Sequence, residues 1–532
     1  MNLAQLLFDD TPGDRPLVHF GDRTWSRSDL QQRADRLAEV LTALGAVGGG
    51  AVGVMLPNGP DPVAALFGTW RAGGVYVPLN PRLTGDEVDH IMGSVDPAAI
   101  VTTPELAARF ADRFAGRAVV VAEPASWTVT PADPAAAPVG DHRRHDADVA
   151  LIQFTSGTTG RPKPVLLLHS GVLTLLDGVL AKLRGAKGPT PAATATVAPS
   201  ATPARAPMPN LIPVSLSLWA GLYNVLFAFR VGSPVVIMDG FDAGQFARLV
   251  QAFDIRSTVL PPAAMTMLVD DPDVTDLAPL RFVRSITAPL SPLQARRFDA
   301  RFGISVLNSY GQTEIGGEII GWNAADSRAH GTAKLGSVGR PHDGVSVRVV
   351  DDAGVDVPAG DPGELWVLTP ALSAGYADGG DLSDRLSADG WFRTGDFARV
   401  DPDGFVWIEG RVSSMINRGG LKVYPGEVEE VLRLHGDVAD VAVVGAPDDR
   451  LGEVPWAFIV RREPPDSEPA DSEPPEAAAD LVAALDRLAR EHLAPYKVPA
   501  RVEFVADLPR NEVGKVLTRD LVGRAGGVGA TS

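Results

Sequence analysis

The feature that most constrains this chain is an alternation of short β-branched runs with helical segments: AVGVML (51–56), YVPL (76–79), AIVTT (99–103), PVVIMD (234–239) and STVLPP (257–262). Among the intervening segments, RSDLQQRADRLAEVLTALG spaces its apolar residues for one helical face, keeps acidic and basic residues outside, and has a serine available as N-cap. Strand and helix in alternation predict α/β units with mainly parallel sheets. After about residue 335 the texture changes, and SVGRPHDGVSVRVVDDAGVDVPAGDPGELWVL predicts a smaller β-rich subdomain. From Gly410 a further unit begins, where VEEVLRLHGDVADVAVVGAPDDRLGEVPWAFIVR combines a helix with two strands into a compact α+β domain of about one hundred residues. Two stretches rich in Pro, Ala and small polar residues, 185–209 and 462–480, cannot bury a core and are expected to be unstructured insertions. The second contains DSEP twice.

Composition removes several functions. The chain has 532 residues and no cysteine, so disulfides, thiolate metal sites and a cysteine nucleophile are excluded. A net charge of −18, from 48 basic and 66 acidic residues, argues against nucleic acid or an anionic membrane as the main partner. The most apolar window, LWAGLYNVLFAF, is shorter than the roughly 20 residues a membrane span needs. The amino terminus lacks the basic region of a signal peptide, and the expected localisation is cytoplasmic.

The chemistry concentrates in a few motifs. FTSGTTGRPKP (154–164) lies between the predicted strands ADVALIQF and VLLL. Its glycines permit tight turns, its hydroxyls and amides can donate to anionic oxygens, and Lys163 adds charge, which is the chemistry of a phosphate cradle. It is not a Walker A loop, because the lysine lacks the preceding glycine and the following Ser/Thr. SYGQTE (309–314) follows the predicted strand ISVLN, and RTGDFA (393–398) is expected to set Asp396 on a tight turn, able to take two ribose hydroxyls. GRVSSMINRGGLKVYPGEVEEVL (410–432) puts Arg411 at the join of the large and small units, and NEVGKVL (511–517) carries Lys515.

In this order and at these separations the motifs closely resemble the adenylate-forming superfamily of acyl-CoA synthetases, aryl-CoA ligases, adenylation domains and luciferases, with GGLKVYPGEVE most similar to fatty-acyl and natural-product acyl-CoA ligases. The resemblance implies a large N-terminal domain of two α/β sheets plus a β-rich subdomain, residues 1–411, and a small mobile C-terminal lid, residues 412–532. It implies an acyl-CoA ligase using ATP, CoA and Mg²⁺ to convert a carboxylic acid, bulky or apolar, into an acyl-adenylate and then a thioester, with AMP released. Carried over by position, Thr155, Ser156, Gly157, Thr158, Thr159, Gly160 and Lys163 match the phosphate loop. Thr287, Ala288, Pro289, Asn308, Ser309, Tyr310, Gly311 and Gln312 match the segments beside adenine and the acyl group. Thr313 matches a phosphate contact, Glu314 the Mg²⁺ ligand, Asp396 and Arg411 the ribose contacts, and Lys515 the lysine bridging carboxylate and α-phosphate. His169, which ends the FTSGTTGRPKPVLLLH stretch, is added as a catalytic candidate. Gly419, Gly420 and Leu421 match the turn presented to the pantetheine arm once the small domain rotates. Implied partners are the acid and CoA, with a separate carrier protein or a partner adenylating enzyme as alternatives, and the molecule is expected to be a monomer or homodimer.

The departures from the family pattern form a cluster. Pro164 stands where glycine is typical, fixing φ and removing an amide donor. Ser413 and Ser414 replace acidic residues at the hinge. SITAPLSP (285–292) carries Ile286 and Thr287 where glycine is usual, and IPVSLSLWAGL (212–222) has small serines where an aromatic or histidine often precedes the acyl-pocket helix, predicting a roomy pocket. Neutral drift and a weakened adenylation step both account for them.

Overall fold

The structure, a computed structural model of the chain, describes every residue except 1, 10, 125, 131–141, 156–161, 185–206, 289, 463–474, 511–515 and 528–532. At its centre the strand Ala51–Met55 pairs in parallel with Val75–Pro78 on one side and Ala99–Thr102 on the other. All its residues are buried, as expected of a parallel strand covered on both faces, so it reads as an unbroken apolar run. The seven-stranded sheet built on it turns antiparallel at both ends, at Trp127–Thr130 and at Lys163–Leu168. The hairpin of Val149–Thr155 with Lys163–Leu168 closes in register at Thr155 and Lys163, so both ends of the phosphate-loop motif are held by the sheet edge. Pro164 stands in this last strand, where a missing N–H is tolerated, and its carbonyl accepts from the Ala377 amide.

The second α/β region divides into a four-stranded sheet and a three-stranded parallel sheet of Ser257–Leu260, Phe282–Ser285 and Ser305–Leu307. The early helix runs Arg27–Ala43, with Ser26 and Asp29 forming a capping box and Leu30, Leu37 and Leu41 buried. Its basic residues are not all outside, a correction to the simple amphipathic reading. Arg33 is buried over the Trp127 ring at 4.2 Å, ion-paired with Asp61 at 2.8 Å and donating to the Glu123 and Ser126 carbonyls. Such full satisfaction is what lets a guanidinium leave water.

The β-rich region is an antiparallel meander of Ser346–Val350, Gly363–Leu368, Phe392–Val400 and Val406–Arg411. Beyond it, Val438–Asp448 and Gly452–Arg461 form the long hairpin of the small unit, joined by Ile416–Arg418, Leu421–Val423 and Arg501–Phe504. Two apolar clusters, one around Val443, Ile459 and Leu485 and one around Val444, Phe458 and Leu521, draw only on residues of this unit. The insertion expected over 462–480 is shorter than its composition suggests. A helix, Pro475–His492, starts inside it, with Pro at the first turn and buried Leu481, Leu485 and Ala489 packing on the small unit's core.

Candidate functional site

Asp396 is the best anchor from which to build the site. It lies within the strand Phe392–Val400 rather than on the free turn expected, with Gly395 at φ +71° just before it. The side chain is buried and its oxygens accept from three strong donors. Tyr310 Oη and Gln312 Nε2 both donate to Oδ2 at 2.6 Å, and Arg411 Nε lies 2.8 Å from Oδ1. Burial and the Asp396 charge push the Tyr310 phenol well above its ordinary range, so it remains a donor. Gln312 is fixed in turn by the Thr394 carbonyl at 2.9 Å.

The hairpin Ser309–Gln312/Gly317–Gly321 sets these donors. A Cβ at Gly311 would stand 1.8 Å from the Gly317 carbonyl oxygen, so only glycine lets the strands close and hold Tyr310 and Gln312 on Asp396. The next residues, Thr313 and Glu314, form a short 3₁₀ turn. Glu314 is paired with Arg385 at 3.2 Å, and Arg385 also donates to Gln312 Oε1 and to the Thr394 carbonyl at 2.7 Å. Sequence reasoning missed Arg385, because its only signal is a place shortly before WFRTGD.

A large cleft connects these groups. Its lining includes Thr155, Thr287, Ala288, Asn308, Ser309, Tyr310, Gly311, Gln312, Thr313, Glu314, Asp396 and Arg411, so the carried-over residues converge from separate parts of the chain. Thr287 holds φ +72°, a conformation that favours glycine and strains a β-branched residue. Lys163 extends over the Tyr376 ring at 5.0 Å. The candidates Ser156, Gly157, Thr158, Thr159, Gly160, Pro289 and Lys515 lie outside the described residues. Arg510 and Val516, on either side of the last of these gaps, line the cleft.

Two candidate groups are placed elsewhere. His169 begins the helix His169–Arg184 and is buried, edge-on to Trp70, its Nδ1 accepting from the Leu3 amide at 3.2 Å. It does not line the cleft, and burial lowers its pKa to about 4, the marks of a packed neutral imidazole. Gly419, Gly420 and Leu421 form a hairpin tip outside the cleft lining, while the small unit presents Glu427, Glu429 and Glu430 of the helix Pro425–Leu432 to it. The helix Trp219–Arg230, which the resemblance implies for the acyl pocket, begins with an aromatic: Trp219 lines the cleft and donates its indole N–H to the Gly316 carbonyl at 2.9 Å.

Among the described residues no group of three or more His, Cys, Asp or Glu side chains could hold a metal ion by itself. Glu314 offers one hard carboxylate, which fits an ion such as Mg²⁺ that takes most of its ligands from phosphate and water.

Known proteins are similar to the chain over nearly its whole length. The family model described as AMP-binding enzyme matches residues 8–377, and that described as AMP-binding enzyme C-terminal domain matches residues 427–515. The chain is 32% identical to a feruloyl-CoA synthase of an Amycolatopsis species, covering 96% of each chain. It is 30% identical to the fatty acid–[acyl-carrier-protein] ligase ScoC of Streptomyces coeruleorubidus, covering 95% of this chain and 92% of that protein. The crystal structure of ATP-bound MatB from Rhodopseudomonas palustris superposes with a TM-score of 0.81 at 28% identity, covering 98% of this chain and 99% of that one.

Proposed function

The chain belongs to the AMP-binding enzyme family, and from that premise we propose that it carries out a complete two-step acyl-CoA ligase reaction in the cleft around Asp396. It is an AMP-forming acid–thiol ligase. In the first step a carboxylate oxygen of the acid bonds to the α-phosphorus of ATP and pyrophosphate leaves. In the second the CoA sulfur, losing its proton, bonds to the acyl carbon and AMP leaves. Both steps depend on placement and charge stabilisation more than on covalent chemistry by the protein.

The observation that carries this reading is the Asp396 constellation. A carboxylate has about four acceptor positions, and Tyr310, Gln312 and Arg411 occupy most of them. A ribose diol can then be taken only if Arg411 yields a position at Oδ1. Arg411 ends the strand entering the 3₁₀ turn Val412–Ser414, so nucleotide binding is coupled to the join of the two units. We place the domain boundary there, with residues 1–411 as the large domain and 412–532 as the lid. Rotation would exchange Lys515, the lysine for adenylation, for the Gly419–Leu421 turn beside the thiol. Ser156–Gly160 with Thr155, Lys163 and Thr313 would hold the phosphates. Glu314 would hold Mg²⁺, which when bound neutralises phosphate charge. The acid is bulky, supported by the small side chains Ser215 and Ser217 ahead of the acyl-pocket helix. A chain without cysteine requires no oxidising compartment; the proposed location is the cytoplasm, and the proposed working form a monomer or homodimer.

A second reading, thioesterification of an acyl-adenylate supplied by a partner enzyme, is favoured by Thr287 at φ +72° and by the Arg385 hold on Glu314. ATP–pyrophosphate exchange across a panel of acids separates the two. Exchange with at least one acid is expected; Pro164→Gly should raise it several-fold if the proline stiffens the loop end against ATP, and no change would return Pro164 to tolerated drift. Thioester formation from synthetic acyl-adenylate and CoA without any exchange would overturn the complete reaction in favour of the split one. The likeness to ScoC makes a carrier-protein thiol the competing acceptor, to be offered alongside CoA in the same assay.

A further inference from the structure

The acyl side of the cleft carries charges that an apolar substrate would not need. Trp219, Tyr223 and Asn224 of the helix Trp219–Arg230 line it together with Arg284 of the strand Phe282–Ser285 and Glu318 of the strand Gly317–Gly321. Arg284 and Glu318 are largely withdrawn from water, with side chains 18% and 13% exposed. Yet their contact is loose: Arg284 Nη1 is 3.4 Å from Glu318 Oε2, and Nη2 is 3.3 Å from Asn224 Oδ1. A guanidinium has five N–H donors, so two long contacts leave most of its capacity unused.

Glu318 is firmly ionised from behind. Burial raises its pKa, but Arg284, His342 and Lys182 outweigh that and hold it down to about 2. Lys182 donates to the Gly321 and Arg340 carbonyls at 2.7 and 2.8 Å and to His342 Nδ1 at 3.2 Å. That leaves the imidazole proton on Nε2, 3.4 Å from Glu318 Oε1. The third element is the Tyr223 hydroxyl, which is buried and has no hydrogen-bond partner among the described residues, although the charges of Arg284 and Glu318 both act on it. An orphaned buried hydroxyl in a ligand cleft costs stability unless a ligand satisfies it.

We propose that the subsite formed by Arg284, Glu318 and Tyr223 receives a neutral hydroxyl carried on the acyl substrate away from its reacting carboxyl group. The subsite offers donors and an acceptor together, and a hydroxyl is the small group that accepts from Arg284 or Tyr223 while donating to Glu318. A second carboxylate would face the ionised Glu318, and an ammonium would face Arg284 with Lys182 behind it. An alkyl or unsubstituted aryl terminus would leave the Tyr223 hydroxyl unpaired and Arg284 and Glu318 with only their long contacts. This replaces the expectation of an apolar acid with that of a hydroxylated one, and it rests on the acyl-CoA ligase reading.

The test uses the full-length enzyme and matched acids, on one aryl and one linear skeleton, ending in hydrogen, hydroxyl, methoxy, carboxylate or ammonium. Thioester formation gives kcat/KM for each, and thermal shift in the presence of a non-hydrolysable ATP analogue gives binding without turnover. The hydroxyl acid is expected to exceed its hydrogen counterpart about tenfold or more, with the methoxy acid between them. Tyr223→Phe and Glu318→Gln should bring the hydroxyl-to-hydrogen ratio, read within each variant, towards one, a change in selectivity that a merely structural role would not produce. A wild-type ratio near one, or a preference for the hydrogen, carboxylate or ammonium acid, overturns the proposal while leaving the ligase reading intact. Failure of every acid in turnover and binding overturns both.

Discussion

At the scale of single residues, the most informative positions are those where the chain departs from what its backbone or its partners would ordinarily take. Thr287 is held at φ +72°, and a left-handed conformation costs a residue with a Cβ about 1–2 kcal/mol. Thr287→Gly removes that strain while adding chain entropy to the unfolded state, so a net stabilisation of about 1 kcal/mol is expected in chemical denaturation. Arg385 pairs with Glu314, so a Mg²⁺ ion held there, as proposed, would compete with it for the carboxylate. In Arg385→Leu the Mg²⁺ concentration for half-maximal pyrophosphate exchange should fall about fivefold, the equivalent of a partly exposed ion pair worth about 1 kcal/mol. An unchanged or increased Mg²⁺ requirement would show that Arg385 supports Glu314 instead of competing for it. Thr287 was visible in the sequence as bulk where glycine is usual in the family pattern, but its φ was not. Nothing in the spacing of Arg385 indicated that it reaches Glu314, because that contact spans 71 residues.

At the scale of elements, the helix His169–Arg184 shows how one motif residue can belong to packing and not to chemistry. His169 is buried at the helix start, where apolar surroundings and the positive end of the helix both disfavour an imidazolium. Its folded pKa of about 4 lies below the ordinary 6.5, so the unfolded chain binds the extra proton between those values. Stability should therefore fall as pH drops from 6.5 to 4 and level off below, by about 3 kcal/mol from this group. Denaturation midpoints measured at pH 6.5 and 4.5 should converge in His169→Asn relative to wild type; an unchanged slope would mean the imidazole is not the group responsible. The elements themselves were mostly legible. The apolar runs at 51–56, 76–79, 99–103, 234–239 and 257–262 all contain strands, since an unbroken β-branched run records burial on both faces. The buried Arg33 and the helix beginning at Pro475 were not, because each is decided by a partner surface remote in sequence.

At the scale of the whole molecule, the contacts between the large and small units among the described residues include the stacked Phe397 and Tyr424 rings at 4.9 Å and the exposed Lys422–Asp352 pair at 3.3 Å. Exposed pairs contribute little, and the small unit has its own apolar clusters, so a fragment spanning 412–532 should fold alone. A cooperative thermal transition by circular dichroism is the expected result; a featureless melt would mean the lid depends on the large unit for its core. The sequence by itself determined the class of fold, the order of the units and the nucleotide-binding motifs, because periodicity and contiguous motifs are local properties of a chain. Only the tertiary structure decided which groups meet: Tyr310, Gln312 and Arg411 on Asp396, Arg385 on Glu314, and Arg284 with Glu318 on the cleft wall that Tyr223 also lines. These contacts join strands, turns and a helix far apart along the chain, and their chemistry depends on burial and distances that residue spacing does not encode.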